Sequence, residues 1–420
     1  MYLEPVYSQP IVASKSTSII SIVLILLAFS IPLSTSITNI LLTIFLLLWI
    51  IEKDFNKKIA WIWQDQAYYA SIIVLASLIF GCLYSIASWR DMLMYLKKMS
   101  KLMYLPFLIF YFRDAQQRNK TLNALIIASI ITAVNGIIYY IININNPANP
   151  FKNTIDTALT ITISTFLLLH KLDQKNNYYV NCSLIAGILI NIFYLFYFCS
   201  GRTAQLIFLL LVMLFFMQKI TLFTKKSILT YTATVILIIV GFCGLFSEVL
   251  RRNWSDVVYQ YNNYKLNSND YNQTSISQRI NYYKNSVKLI KEKPLLGWGT
   301  GSFPLVYKNF ISNNKFTGNN KLEYLYTNNA HNEYFMFGTQ LGLLGIALLL
   351  WWFYILLNAS CKIPSYEKYI LQGTVTTIAV GCLANSWIMD FTSGHLFIII
   401  TAICLGALPH AEVNRNNGAI

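Results

Sequence analysis

The run Ile19-Ile20-Ser21-Ile22-Val23-Leu24-Ile25-Leu26-Leu27-Ala28-Phe29-Ser30-Ile31-Pro32-Leu33 carries no charge. Val180–Cys199 and Ile228–Phe246 read in the same way. Each approaches the roughly 20 apolar residues that cross a bilayer as a helix. Around them lies a chain of 420 residues, 56% hydrophobic and only 12% charged, where soluble domains carry about 25% charged residues. The pattern is that of an all-α polytopic membrane protein. A membrane barrel would show short alternating segments instead.

Working outward gives about 12 transmembrane helices, near 17–34, 37–51, 67–86, 92–112, 122–142, 155–169, 179–199, 203–217, 227–246, 333–357, 369–388 and 394–409. The fourth is interrupted by Lys97, Lys98 and Lys101 and reads partly as an amphipathic interfacial helix. One set of short loops and tails collects fifteen Lys/Arg, among them Lys53, Lys58, Arg113, Arg118, Lys171, Lys219 and Lys362. The opposite loops hold only Arg90, Lys152 and Arg202. Basic loops stay on the cytoplasmic side. Both termini are therefore expected to be cytoplasmic, with the long segment 247–332 facing out. The expected division is 1–246 with nine helices, 247–332 as the outer segment, and 333–420 with three helices and a tail. The first 16 residues are polar and no small-residue cleavage site follows, so no removable signal peptide is expected. Seven cysteines, mostly in or beside apolar spans, show neither disulfide nor metal spacing.

The outer segment carries eleven Lys/Arg against five carboxylates. Long translocated segments escape the charge rule, so an anionic ligand and lipid headgroups are both open as the reason. Residues 276–292 read as a helix, with Ile280, Tyr283, Val287 and Ile290 at helical spacing and Pro294 ending it. Arg279 shares the face of Tyr283, while Lys284, Lys288 and Lys291 line another. Gly297-Trp298-Gly299-Thr300-Gly301 reads either as a backbone cradle for phosphate or as a plain turn. Residues 312–329, rich in Asn, Lys and Tyr, suit a mobile or sugar-contacting loop.

Of four histidines, His331 sits where the outer segment re-enters the membrane, beside Asn332 and Glu333. A neutral imidazole there can take a proton from a sugar hydroxyl; a polar residue at a helix start is the alternative. Arg202, in the turn Ser200-Gly201-Arg202-Thr203, is a charge at a membrane boundary and a candidate fork for phosphate, or else a snorkelling anchor. Asp390 and His395 fall on the same side as His331 and are candidates to orient it or to contact a substrate; Arg90 and Lys98 are candidates to line a ligand path, or else interfacial anchors. No Asp-x-Asp pair on the outer side, Walker loop, Gly-x-Ser-x-Gly or His-Glu-x-x-His occurs.

Three patterns in order resemble one family. His331-Asn332, nine residues, then Gly342-x-x-Gly345 match a His-[Asn/Ser/Gln]-x9-Gly-x-x-Gly motif. Arg202 matches an arginine turn before a span. Arg279, Tyr283, Ile290, Lys293, Pro294, Leu295, Gly297 and Gly299 match an Arg-x-x-x-Tyr…Ile…Lys-x-Pro-Leu-x-Gly-x-Gly pattern. Together they resemble the O-antigen ligase superfamily, which also holds O-antigen polymerases. The resemblance implies a GT-C-like fold in the bacterial inner membrane and a metal-independent, inverting glycosyltransferase with no cofactor. It implies a glycan on undecaprenyl diphosphate as donor and a sugar hydroxyl of lipid A–core as acceptor. On that carry-over His331 is the general base, and Arg202 and Arg279 hold the diphosphate. Tyr283, Asn332, Lys284 and Lys288 are expected to bind substrate. An O-antigen polymerase is the near rival. A lipid or polysaccharide transporter, from another class, would show paired Gly/Pro-broken spans.

Overall fold

The computed structural model describes residues 15–52, 55–142, 151–199, 201–219, 255–262, 274–313 and 326–409. Among them every regular element is a helix. These are α1 (Lys15–Ser30), α2 (Thr35–Ile51), α3 (Phe55–Ile62), α4 (Gln66–Gly81), α5 (Trp89–Met99), α6 (Tyr104–Ile109), α7 (Ala115–Ile142) and α8 (Thr154–Leu172). There follow α9 (Tyr178–Tyr197), α10 (Arg202–Lys219), a short piece at 255–262, α11 (Ser275–Glu292), α12 (Phe303–Asn313), α13 (Glu333–Ser360), α14 (Ser365–Gly381) and α15 (Phe391–Leu405).

Five of these helices, α7, α8, α9, α10 and α13, are long and apolar enough to cross a membrane. α1, α2, α4 and α15 are shorter and also apolar. The protein is a multi-pass membrane protein of helices. The fourth expected span is not one helix: 92–112 is broken into α5, a 3-10 turn at Ser100–Met103, α6 and a second 3-10 turn at Phe110–Phe112. Its break falls at Lys101, which is buried with its ammonium donating to the carbonyls of Met389 (2.9 Å) and Asp390. The expected ninth span, 227–246, lies outside the described residues.

Polar side chains start the helices. Ser34, Asp65, Asn153 and Asn177 each accept a backbone N–H from the first turn of the helix that follows, satisfying donors that would otherwise be orphaned. Inside the spans, hydroxyls turn back on their own helix. Thr121, Thr132, Thr160, Thr165, Thr374 and Thr377 all donate to the carbonyl four residues earlier, as a medium without water requires.

α15 is apolar all round and every residue from Thr392 to Leu405 is buried, so it stands at the centre of the bundle. α14, α8, α7 and α6 pack on it. α1, α9 and α10 leave apolar side chains such as Ile22, Leu26, Leu189, Phe193 and Met213 exposed. At one end, Arg118 pairs with Glu367 at 2.9 Å, Lys219 with Asp173, and Lys362 with Asp65 at 3.3 Å. The ends of α4, α11 and α14 and the start of α13 gather at the other.

Candidate active site

At that second end α13 is broken. Gly342 has φ +66 and ψ −160, which opens the helix and frees the carbonyls of Thr339 and Gln340. Residues 294–301 fill the gap. Trp298 N donates to Thr339 O (2.9 Å), Gly299 N to Gln340 O (2.8 Å) and Gly301 N to Gln340 Oε1 (2.5 Å), while Leu343 N donates to Pro294 O (2.7 Å). Thr300 N reaches Gly81 O at the end of α4 (3.1 Å). A Cβ on Gly297 would stand 2.6 Å from the backbone of Gln340 and Gly342, and one on Gly342 would run into the Leu295 carbonyl. The Gly-Trp-Gly-Thr-Gly loop is therefore a turn that wedges a broken helix. Its N–H groups are spent on protein carbonyls, and the phosphate-cradle reading falls. No pair of Gly/Pro-broken spans is read from the sequence; the structure has one such break here, at Gly342.

His331 is fixed by its backbone. Its φ of 51° is in the left-handed region, and among the described residues it is the one residue other than glycine there. Such strain costs on the order of 1–3 kcal/mol and persists only where the surroundings over-determine it. Here His331 N donates to Asn329 Oδ1 (2.8 Å), the Tyr283 hydroxyl lies 3.1 Å from His331 O, and Asn332 Oδ1 caps α13 by accepting from Phe335 N (3.0 Å). The half-buried imidazole stacks on Tyr282, ring centroids 6.0 Å apart at 19°. Among the described residues neither ring nitrogen has a hydrogen-bond partner. Burial, and then the charge of Arg279, push the His331 pKa below its ordinary value. The ring is neutral at pH 7 with a lone pair free, the state a general base needs.

Arg279, in the first turn of α11, is half-buried, and its Nη2 lies 3.4 Å from Asn385 Oδ1. That distance is too long for a strong bond, so most of its fork is open to a ligand.

The turn between α14 and α15 forms the floor. Leu383 O accepts from Asn332 Nδ2 (2.8 Å) and lies 2.9 Å from the Tyr283 hydroxyl; Ser386 Oγ bonds Asn329 Oδ1 (2.7 Å). Glu333, fully buried, holds this turn: its Oε2 accepts from the N–H of Ile388 (3.1 Å) and Met389 (3.2 Å). Asn329, Glu333, Asn385 and Ser386 were not singled out from the sequence as part of the site. One signal was readable, since Asn385-Ser386 interrupts an apolar run.

The other expected residues fall as follows. Asn332 uses both ends of its amide within the protein. Lys284 and Lys288 are exposed on α11, with the Lys288 ammonium 5.7 Å from the Phe310 ring. The buried face of α11 is Ser277, Tyr282, Asn285, Ser286, Leu289 and Ile290; Val287 is exposed, so the apolar stripe read from spacing is rotated from the true one. Arg202 begins α10, a third exposed, with Asp256 at 3.8 Å; no contact joins it to His331 or Arg279. His395 Nδ1 bonds Phe391 O (2.7 Å) and Asp390 meets Lys101, so neither orients His331.

Residues 186–350, which carry His331, Arg279, Arg202 and the Gly342 break, match the family model described as Wzy_C, O-antigen ligase. This stretch, less than half of the chain, is similar to the O-antigen ligase family. No curated protein matches the chain. The match stops at 350, so the 383–390 floor and everything before α9 lie beyond it.

Proposed function

We propose that the protein is an O-antigen ligase that moves a glycan from undecaprenyl diphosphate to a sugar hydroxyl of lipid A–core. The observation that carries this is His331, strained, neutral and unpartnered, beside the open fork of Arg279. His331 takes the proton of the acceptor hydroxyl. The freed oxygen attacks the anomeric carbon from the face opposite the phosphate, and the carbon–oxygen bond to the diphosphate breaks with inversion. The leaving diphosphate keeps the electron pair, and Arg279, joined by Arg202 once the donor is bound, carries its charge. Placing fixed cations where charge develops is commonly the largest catalytic contribution. The step is metal-independent, with a lipid donor reaching the site along the bilayer boundary. The site faces the periplasm from the inner membrane, both termini are cytoplasmic, and 247–332 forms the outer segment between nine and three spans. Exposed Lys284 and Lys288 draw the anionic donor in.

The test is His331→Ala in place of the native protein, read by polysaccharide gel and lipid extract. Core without O-antigen, with long glycan accumulating on undecaprenyl diphosphate, is expected. Core capped by a single repeat unit would make the protein a polymerase. Unchanged polysaccharide at normal protein level would end the His331 mechanism.

A further inference from the structure

Beside the His331 turn lies a second concavity of about 120 Å³, between α5, the start of α12, Asn328 and Met389. Asp91, Tyr95 and Lys98 line it at positions i, i+4 and i+7, one face of α5. Tyr95 is only 6% exposed, and its hydroxyl lies beside the Gln340 amide, which is also held by Gly301 N and Met336 O. Asp91 Oδ2 accepts from Ser88 Oγ (2.6 Å), which leaves its second oxygen for a ligand. Gln340 and Gly301, on the inner wall, satisfy each other and offer nothing.

These groups suit one kind of occupant. A carboxylate, a phenol and an amide bind hydroxyls, and the apolar side chains of Phe303 and Pro304 suit the C–H face of a ring. One lysine balanced by one aspartate does not suit a phosphate. At about 10–15 Å³ per water the cavity holds roughly ten waters, the bulk of one monosaccharide. We propose that this cavity binds a single sugar ring through Asp91, Tyr95 and Asn328.

The cavity is coupled to the site through shared walls. Asn328 stands three residues before His331. Met389 has its N–H held by Glu333 and its carbonyl by Lys101. α5 lies outside the stretch matched by the family model. Whether the sugar belongs to the acceptor or the donor rests on the transfer proposed above; the binding itself does not.

The experiment uses the full chain in detergent and saturation-transfer NMR with D-glucose, D-galactose and N-acetyl-D-glucosamine. Native protein should transfer saturation to at least one. Asp91→Asn and Tyr95→Phe should each cut the signal at least fivefold, while His331→Ala keeps it. In a transfer assay Asp91→Asn should raise one KM at least fivefold with kcat changed less than twofold; the substrate whose KM moves names the source of the ring. If Asp91-dependent sugar binding persists in a native protein that transfers no glycan, the ligase reading fails and the sugar site stands. No saturation transfer to the native protein, or unchanged signals in both folded variants, overturns the proposal.

Discussion

Segments 294–301 and 326–333 look alike in the sequence. Both border helices, and both hold residues of the motif. The structure gives both the same backbone feature, a turn through left-handed φ: Gly297 at +69, Gly299 at +90 and Gly301 at +77 in the first, His331 at +51 in the second. In the first, glycine takes the turn without strain and the N–H groups are consumed in closing the Gly342 break. In the second, a side chain takes the turn at a cost, and its ring nitrogens are left unbonded. Left-handed backbone held by glycine serves packing here. The same backbone held by histidine marks the reactive group.

Opposite substitutions at the two places separate the roles. Gly342→Ala drives a Cβ into Leu295 O and strains φ, at a cost of at least about 1–3 kcal/mol from the backbone alone. It should sharply lower the yield of monodisperse protein and its melting temperature. His331→Gly should leave the melting temperature unchanged or slightly higher, because glycine accepts that φ. Transfer should fall about 10²–10⁴-fold, the usual worth of a general base. A stable Gly342→Ala protein, or a His331→Gly protein that loses its fold, would erase the contrast.

Glu333 tests the floor on which His331 and Arg279 both depend. Glu333→Ala leaves the Ile388 and Met389 N–H groups buried without a partner, about 1–3 kcal/mol each. The released turn carries Asn385 and Leu383, so kcat should drop roughly tenfold with less change in KM. Glu333→Gln keeps an acceptor oxygen and should recover most of the activity. Equal loss in both variants would point to the charge of Glu333 rather than its grip on the turn.

Much of this was legible beforehand, and the reason differs by element. Apolar runs announced the spans because each satisfies its own backbone, so composition alone marks them. His331 stood out where the outer segment re-enters the membrane, and Arg279 and Tyr283 as sharing one face of the 276–292 helix; the structure sets Tyr283 and Arg279 beside His331. The break at Gly342 was hidden because leucines flank it on both sides and its partner, Pro294, lies 342 − 294 = 48 residues away. The fourth span failed as a single helix because buried Lys101 needs two carbonyls that only the distant 389–390 turn supplies. Asn385 and Glu333 were invisible as site members for the same cause: their roles are made by contacts across the chain. Arg202 was legible as unusual, but its geometry here joins it to Asp256 and not to the histidine.

The smallest effect expected is in the pH profile. The folded pKa of His331 is lowered below 6.5, first by burial and then by Arg279. The neutral base is therefore retained to lower pH than in a free imidazole and is lost as pH falls through that lowered value. The midpoint of the acid limb of kcat/KM should lie below pH 6.5. Arg279→Gln removes the second cause and leaves the first. Its residual activity should show the acid limb moved upward, still short of 6.5. Protein lacking the motif glycines' packing contacts, such as Gly297→Ala, should lose yield without moving that limb, because no left-handed glycine of the wedge touches the imidazole's charge. A limb that stays fixed in Arg279→Gln would mean that Arg279 does not sense the imidazole, and the site would reduce to a histidine held by packing alone.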